Sequence, residues 1–168
     1  MPPDNIEIRP LAPLQVDTPQ FTVLPEHFHT TDRIDFRDIR GKKFYIHHTV
    51  YGADARTAAN HGVFWIAPFE CTVTEIREVH QTAEVTAATA ELQIEKLTGT
   101  QALDAGVACL ATAFNLKGTA NTVNTGTLTT TPADRRLERG NRLAMDDNFS
   151  AAPSELVNVT VIIEITVN

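Results

Sequence analysis

From Val157 to Val167 every second residue is a β-branched aliphatic: Val157, Val159, Val161, Ile163, Ile165 and Val167. The residues between them, Asn158, Thr160, Glu164 and Thr166, are mostly polar. A strand turns successive side chains to opposite faces, so this spacing gathers six apolar groups on one face, whereas a helix would scatter them. A chain that closes on such a segment must supply a second apolar surface to cover it. The pattern therefore constrains the whole fold, and it predicts a long core strand at the C-terminal end.

The same reading extends back to Lys43. Phe44 to Tyr51 and Gly62 to Ile66 are rich in aromatic and β-branched residues and are bounded by Gly, Asn, Asp or Pro, which predicts two more strands. Cys71 to Thr82 starts on a Cys71/Val73 face and then carries Ile76, a slip of one residue near Thr74-Glu75 that a β-bulge would explain. In Ala90 to Leu97 the residues Ala90, Leu92 and Ile94 share one face and Glu91, Gln93 and Glu95 the other, as a half-buried antiparallel strand requires. Val107 to Leu116 and Asn124 to Thr130 are weaker strand candidates, and Arg139-Gly140-Asn141 is a turn feeding a strand over Arg142 to Asp146. About eight strands with no amphipathic helix between them predict an all-β, jelly-roll-like antiparallel β-sandwich. Roughly one residue in seven is Thr and only two are Ser, a balance that suits solvated strand faces.

The first quarter of the chain is different. Six of the nine prolines, Pro2, Pro3, Pro10, Pro13, Pro19 and Pro25, fall within the first 25 residues. No helix or central strand fits between them, so the segment is expected to be an extended arm. Interleaved with the prolines are Ile6, Ile8, Leu11, Leu14, Val16, Phe21, Val23 and Leu24, with Phe28 just beyond. A solvated linker has no use for so many apolar groups, so Ile6, Ile8, Leu11, Leu14, Phe21, Val23, Leu24 and Phe28 are candidate anchors onto a partner. Fully extended, about 28 residues reach on the order of 90 Å, more than one domain of this size. After the arm, Asp32 to Lys43 mixes charges and ends on Gly41, as a polar turn or short helix would. The expected organisation is an arm and linker over residues 1–42 and a sandwich over 43–168.

Composition narrows the functions. Fourteen Lys plus Arg against 21 Asp plus Glu give a formal charge of −7, so nucleic acid is not an expected partner. The beginning of the sequence has neither a basic nor an apolar leader region, and no apolar run approaches ~18 residues, so no signal peptide and no membrane partner are expected. Cys71 and Cys109 are too few for a disulfide scaffold and are expected to be buried free thiols.

Four segments resemble a β-sandwich of tailed-bacteriophage structural proteins: Phe69 to His80, Ala90 to Leu97, Ala113 to Val123 and Gly140 to Ala144. The first has the form Ala67-Pro68-Phe69, then Cys71-Thr72-Val73-Thr74 and Ile76; the third contains Leu116-Lys117-Gly118-Thr119-Ala120-Asn121-Thr122-Val123. In the last, Asn141 stands where the family pattern has Asp, and both residues suit turns. The resemblance covers about residues 62–168 and carries no catalytic set. It implies a virion component, either a capsid decoration (cement) protein on the outer shell or a head-fibre or tail module contacting a host glycan or receptor. The first implies the major capsid protein and further copies of the chain as partners, with a trimer favoured at threefold junctions, and made in the host cytoplasm. Arg33, Arg37, Arg40, Lys42 and Lys43 are then candidate docking charges.

Residue chemistry adds no enzyme, cofactor or metal to this expectation. His27 and His29 would share one side of an extended segment, as in the His-x-His pair of a cupin, but Thr30-Thr31-Asp32-Arg33 follows in place of the cupin glutamate. His47 and His48 are adjacent and face opposite sides of a strand. His61 and His80 are expected at the surface or an interface. Ser150 and Ser154 stand in no nucleophile-elbow motif, and Asp146-Asp147 is expected to be a solvated turn. The two matches to the glycosylation sequon, at Asn148 and Asn158, are expected to be chance. Arg135, Arg136, Arg139 and Arg142 form a second basic cluster, expected to be a solvated or salt-bridged surface.

Overall fold

The computed structural model describes residues 39–51, 62–151 and 155–168. The elements are β1 (Lys43–Val50), β2 (Gly62–Ile66), β3 (Cys71–Thr82), β4 (Ala90–Leu97), β5 (Val107–Ala108), β6 (Phe114–Asn115) and β7 (Asn124–Thr125). They are followed by a single helical turn α1 (Pro132–Arg135), β8 (Arg136–Leu137), β9 (Arg142–Phe149) and β10 (Val157–Val167).

These strands form two antiparallel sheets and an all-β sandwich. One sheet has the order β1-β10-β3-β7, with β8 also on β3; the other has β2-β9-β4-β5, with β6 also on β4. The first four strands alternate between the sheets, and β9 and β10 return to lie between earlier strands. The long C-terminal strand is thus central, flanked by β1 and β3 along most of its length. Its Val159, Val161, Ile163, Ile165 and Val167 are buried, as the alternation demands. The first four share one core with Val73 and Ile76 of β3 and with Leu92, Ile94, Leu143 and Met145 of the opposite sheet. Burying each Leu or Ile contributes about 1.5–3 kcal/mol, so this interior dominates the stability.

The slip in β3 is a bulge. Glu75 pairs with Glu164 but Val73 pairs with Ile165, which leaves Thr74 without an opposite number. Beyond the bulge the inward positions are Ile76, Glu78 and His80, and all three are buried. A similar shift at Phe64 in β2, between Val63 and Trp65, has no forewarning in the sequence pattern.

Several expectations need correction. The described residues hold ten strands, because the weak candidates break into pieces: Val107 to Leu116 yields β5, β6 and an isolated Leu110–Leu128 bridge, and Asn124 to Thr130 yields only β7. Their Thr, Ala, Gly and Asn content gives little apolar alternation to hold a continuous ladder. α1 and β8 have no sequence-level counterpart. β9 runs on to Phe149, so Asp146 and Asp147 lie in a strand and not in a turn, and Phe149 ends that strand against the core. At the other end, Ile39 is helical, Arg40-Gly41 is a turn, and Gly41 has φ +75°, consistent with the expected stop. The arm anchors from Ile6 to Phe28, with Arg33, Arg37, His27, His29 and His61, lie outside the described residues.

Candidate functional site

Among the described residues the buried ionisable side chains are Glu78, His80, Glu84, Glu95, Lys96 and Glu164; the two basic ones, Lys96 and His80, stand at opposite ends of the sandwich interior, and both come from strand parity. In β4, Lys96 continues the inward series Ala90, Leu92, Ile94 and crosses from its own sheet toward β8 of the other. Its ammonium donates to the carbonyl of Ala133 at 2.5 Å and of Arg136 at 3.3 Å. The residue is only 9% exposed, and among the described residues no carboxylate lies within ion-pair distance of it.

The local sequence explains why β4 is covered here. Pro132 opens α1 at a position where its missing N–H costs nothing, and the turn delivers Ala133 and Arg136 carbonyls over Lys96. The next turn is held by Glu138 and Asn141: the Asn141 N–H donates to the Glu138 carbonyl, and the Glu138 N–H to Asn141 Oδ1. Gly140 takes φ +90° there, a conformation that L side chains rarely adopt. On the other flank, Gln101 Oε1 accepts from the N–H and hydroxyl of Thr98, and Arg142 donates to the carbonyls of Gly99 and Gln101.

These turns border an open cavity of about 500 Å³ lined by Lys96, Thr98, Gly99, Ala133, Arg136, Glu138 and Asn141. Arg136 is paired at the surface with Glu70 at 3.1 Å. The expectation of a salt-bridged basic cluster therefore holds for Arg136. The buried lysine beneath it was not singled out from the sequence, although the parity of Ala90, Leu92 and Ile94 already placed it on the core face.

At the far end, Glu78 and His80 of β3 occupy adjacent inward positions with fully buried side chains. His80 Nδ1 lies 2.7 Å from Glu78 Oε1, and Asn124 donates to Glu78 Oε2 at 3.0 Å. His80 Nε2 faces the Gly118 carbonyl at 3.4 Å. The expected surface placement of His80 is thus corrected: the bulge at Thr74 shifts the parity and turns it inward. With an acceptor beside each ring nitrogen, the ring is best satisfied as imidazolium. The hydrogen bond to Glu78 raises its pKa against the opposing effect of burial. The Asn121 N–H donates to the His80 carbonyl and so pins the Lys117 to Thr125 connection onto β3.

Two carboxylates are held in other ways. Glu164 on β10 gathers Lys43 at 2.8 Å, Tyr45 at 2.9 Å and Thr74 at 2.8 Å, which lowers its pKa to about 2. The candidate docking charge Lys43 is therefore engaged within the sheet, while Arg40 and Lys42 are exposed. Asp146 is pushed up to about 6, first by burial and then by Asp104, Glu95 and Asp147 nearby. Among the described residues no group of three or more His, Cys, Asp or Glu side chains has the arrangement to hold a metal ion. Cys71 and Cys109 are buried and unpaired, as expected, with thiols pushed up by burial to about 11 and about 12. Neither is a thiolate near neutral pH.

The open flank of the sandwich is the remaining feature. Among the described residues β1 and β2 are the edge strands of their sheets, and His48 of β1 stacks on Phe64 of β2 with centroids 4.9 Å apart. Phe44 lies 6.0 Å from Phe69 on the same flank. His47 is exposed and His48 half-buried, as adjacent strand positions require. Phe44, Tyr45, Tyr51, Val63 and Ile66 are all exposed along these two edges.

Comparison with known proteins finds no matching family model, curated protein or solved structure.

Proposed function

We propose that the chain is a capsid decoration protein of a tailed bacteriophage, a jelly-roll sandwich seated on the outer shell. Its N-terminal arm, residues 1–42, would bridge neighbouring capsid subunits. The observation that carries this reading is the β1/β2 flank. An edge strand presents unpaired backbone groups to any passing strand, and natural sandwiches usually blunt such edges with charge, proline or a covering element. Here the flank instead exposes Phe44, Tyr45, Tyr51, Val63 and Ile66, and the arm joins the sandwich at the start of β1. An apolar edge of this kind favours association over a solitary life.

The pairing order supports the jelly-roll reading. Taken as eight positions, with β5 and β6 sharing one and β7 and β8 another, the sheets run first-eighth-third-sixth and second-seventh-fourth-fifth. That interleaving is what two nested Greek keys produce. The resemblance of Phe69 to His80 and Leu116 to Val123 to phage structural proteins supports the virion setting. Apolar groups spaced between prolines would let the arm bury side chains on several subunits with little ordering entropy lost. Trimers at threefold junctions would cover the open flanks.

The test is a pelleting assay with purified capsids. Removing residues 1–28 is expected to abolish co-sedimentation, and Tyr51→Lys with Ile66→Lys to weaken it. Unchanged binding by both variants would overturn the reading.

A further inference from the structure

We propose that the cavity over Lys96 is a binding site for a single carboxylate carried on a neutral, polar body, either a sugar acid or an acidic side chain of a peptide. The inference stands independently of the virion reading. A buried ammonium is costly unless it is both hydrogen-bonded and electrically compensated. Lys96 has the first, from the Ala133 and Arg136 carbonyls, and lacks the second among the described residues. It also lines an open volume of about 500 Å³, within the ~300–1,000 Å³ of small-molecule sites.

The other lining groups define the rest of the ligand. Thr98 and Asn141 offer polar side chains, and Gly99 and Ala133 bring backbone close to the space. These suit hydroxyl or amide groups more than a hydrocarbon. Arg136 lines the same space, and its largely exposed guanidinium binds the carboxylate of Glu70 at 3.1 Å through one nitrogen, which leaves donors for a second carboxylate. Glu138 on the same wall sets the limit. It accepts hydroxyl or amide donors but repels a second negative group, which disfavours phosphate dianions and polyanions. One carboxylate on Lys96, with donors toward Glu138, is the arrangement that leaves no charge opposed.

The experiment is titration of the full chain, followed by amide chemical shifts, with sodium glucuronate, N-acetylglutamate amide, glucose and inorganic phosphate. Saturable shifts at Gly99, Asn141 and Arg136 with glucuronate or with the glutamate amide are expected, and which of the two binds more tightly separates the sugar from the peptide source. Lys96→Met should weaken that binding at least roughly tenfold, by loss of a charge-assisted contact. Should that variant not fold, Arg136→Gln, at an exposed position, should still weaken it several-fold, and Lys42→Met, a remote charge, should not. Binding of neither carboxylate, equal binding of glucose, tighter binding of phosphate, or affinity unchanged by Arg136→Gln would each overturn the proposal.

Discussion

The two ends of the sandwich bury a cation in opposite ways. At the β3 end, His80 has a buried carboxylate at 2.7 Å, and that carboxylate has Asn124 on its second oxygen. Donors and acceptors face one another, and the network is closed. At the β8 end, Lys96 is met, among the described residues, only by backbone carbonyls and by an open cavity. Lys96 bonds to the carbonyl of Arg136, which pairs with Thr72 of β3. His80 lies eight residues further along the same strand, about 26 Å away at ~3.3 Å per residue. One fold thus holds a self-satisfied charge that fastens a loop and an incompletely answered charge that invites a ligand. Burial alone does not distinguish structure from function; the completeness of the partner set does.

The largest expected effect breaks the closed end. Glu78→Ala removes the carboxylate that holds His80 and Asn124, so that the buried ring loses its acceptor and must give up its proton or stay charged unpaired, and removal of one partner of a buried pair costs about 3–5 kcal/mol. Urea unfolding at pH 6 should show that loss. A smaller effect follows at the open end, because no ion pair is broken there: Lys96→Met should cost about 1 kcal/mol, from two carbonyls that lose a donor. A comparable loss in both variants would erase the contrast between the ends.

The pH profile sharpens the comparison. His80 has a raised pKa in the folded state, so its contribution is complete below the unfolded value near 6.5 and is lost as pH rises through the folded value. Stability measured by thermal melting from pH 6 to 9 should fall in the wild type, and His80→Gln should remove that part of the slope. Asp146 gives a contribution of the same sign at lower pH. Its folded pKa of about 6 lies above the ordinary value of 3.8, so the ionised form is disfavoured by folding above pH 6, and the penalty is relieved as pH falls toward 3.8. Asp146→Asn should therefore stabilise the protein at pH 7 by about 1 kcal/mol, screened because the group is partly solvated, and by nothing at pH 3.5.

The smallest effect concerns a buried carboxylate whose cationic partner is exposed. Glu164 has its pKa lowered to about 2, chiefly by its hydrogen bond with Lys43, so its contribution is complete above 4.5 and is lost as pH falls toward 2. Glu164→Gln should flatten the acid limb of the stability profile in low salt, and 1 M NaCl should reduce the difference between the two proteins.

Much of this arrangement is legible in the sequence. The alternation of Val157 to Val167 determined a central strand, because one buried face leaves no other register open. The slip between Val73 and Ile76 determined a bulge. The parity of Ala90, Leu92 and Ile94 already places Lys96 inward, although a lysine there invites the contrary reading. What the sequence by itself could not decide is which outward or terminal positions are later covered. Pro132 to Arg136 caps Lys96 from some forty residues away along the chain, and the Gly118 carbonyl reaches His80 from the far side of a connection that has no strong pattern of its own. Asp146 is pushed up because burial and Asp104 surround it, and Asp104 is carried there by a loop with φ +66° at that residue. Strand faces are set by neighbours two residues apart and so can be read locally. Burial of charge is set by segments that meet only when the two sheets close, and for that reason the tertiary structure alone decided that one buried cation has its counter-ion and the other has a cavity.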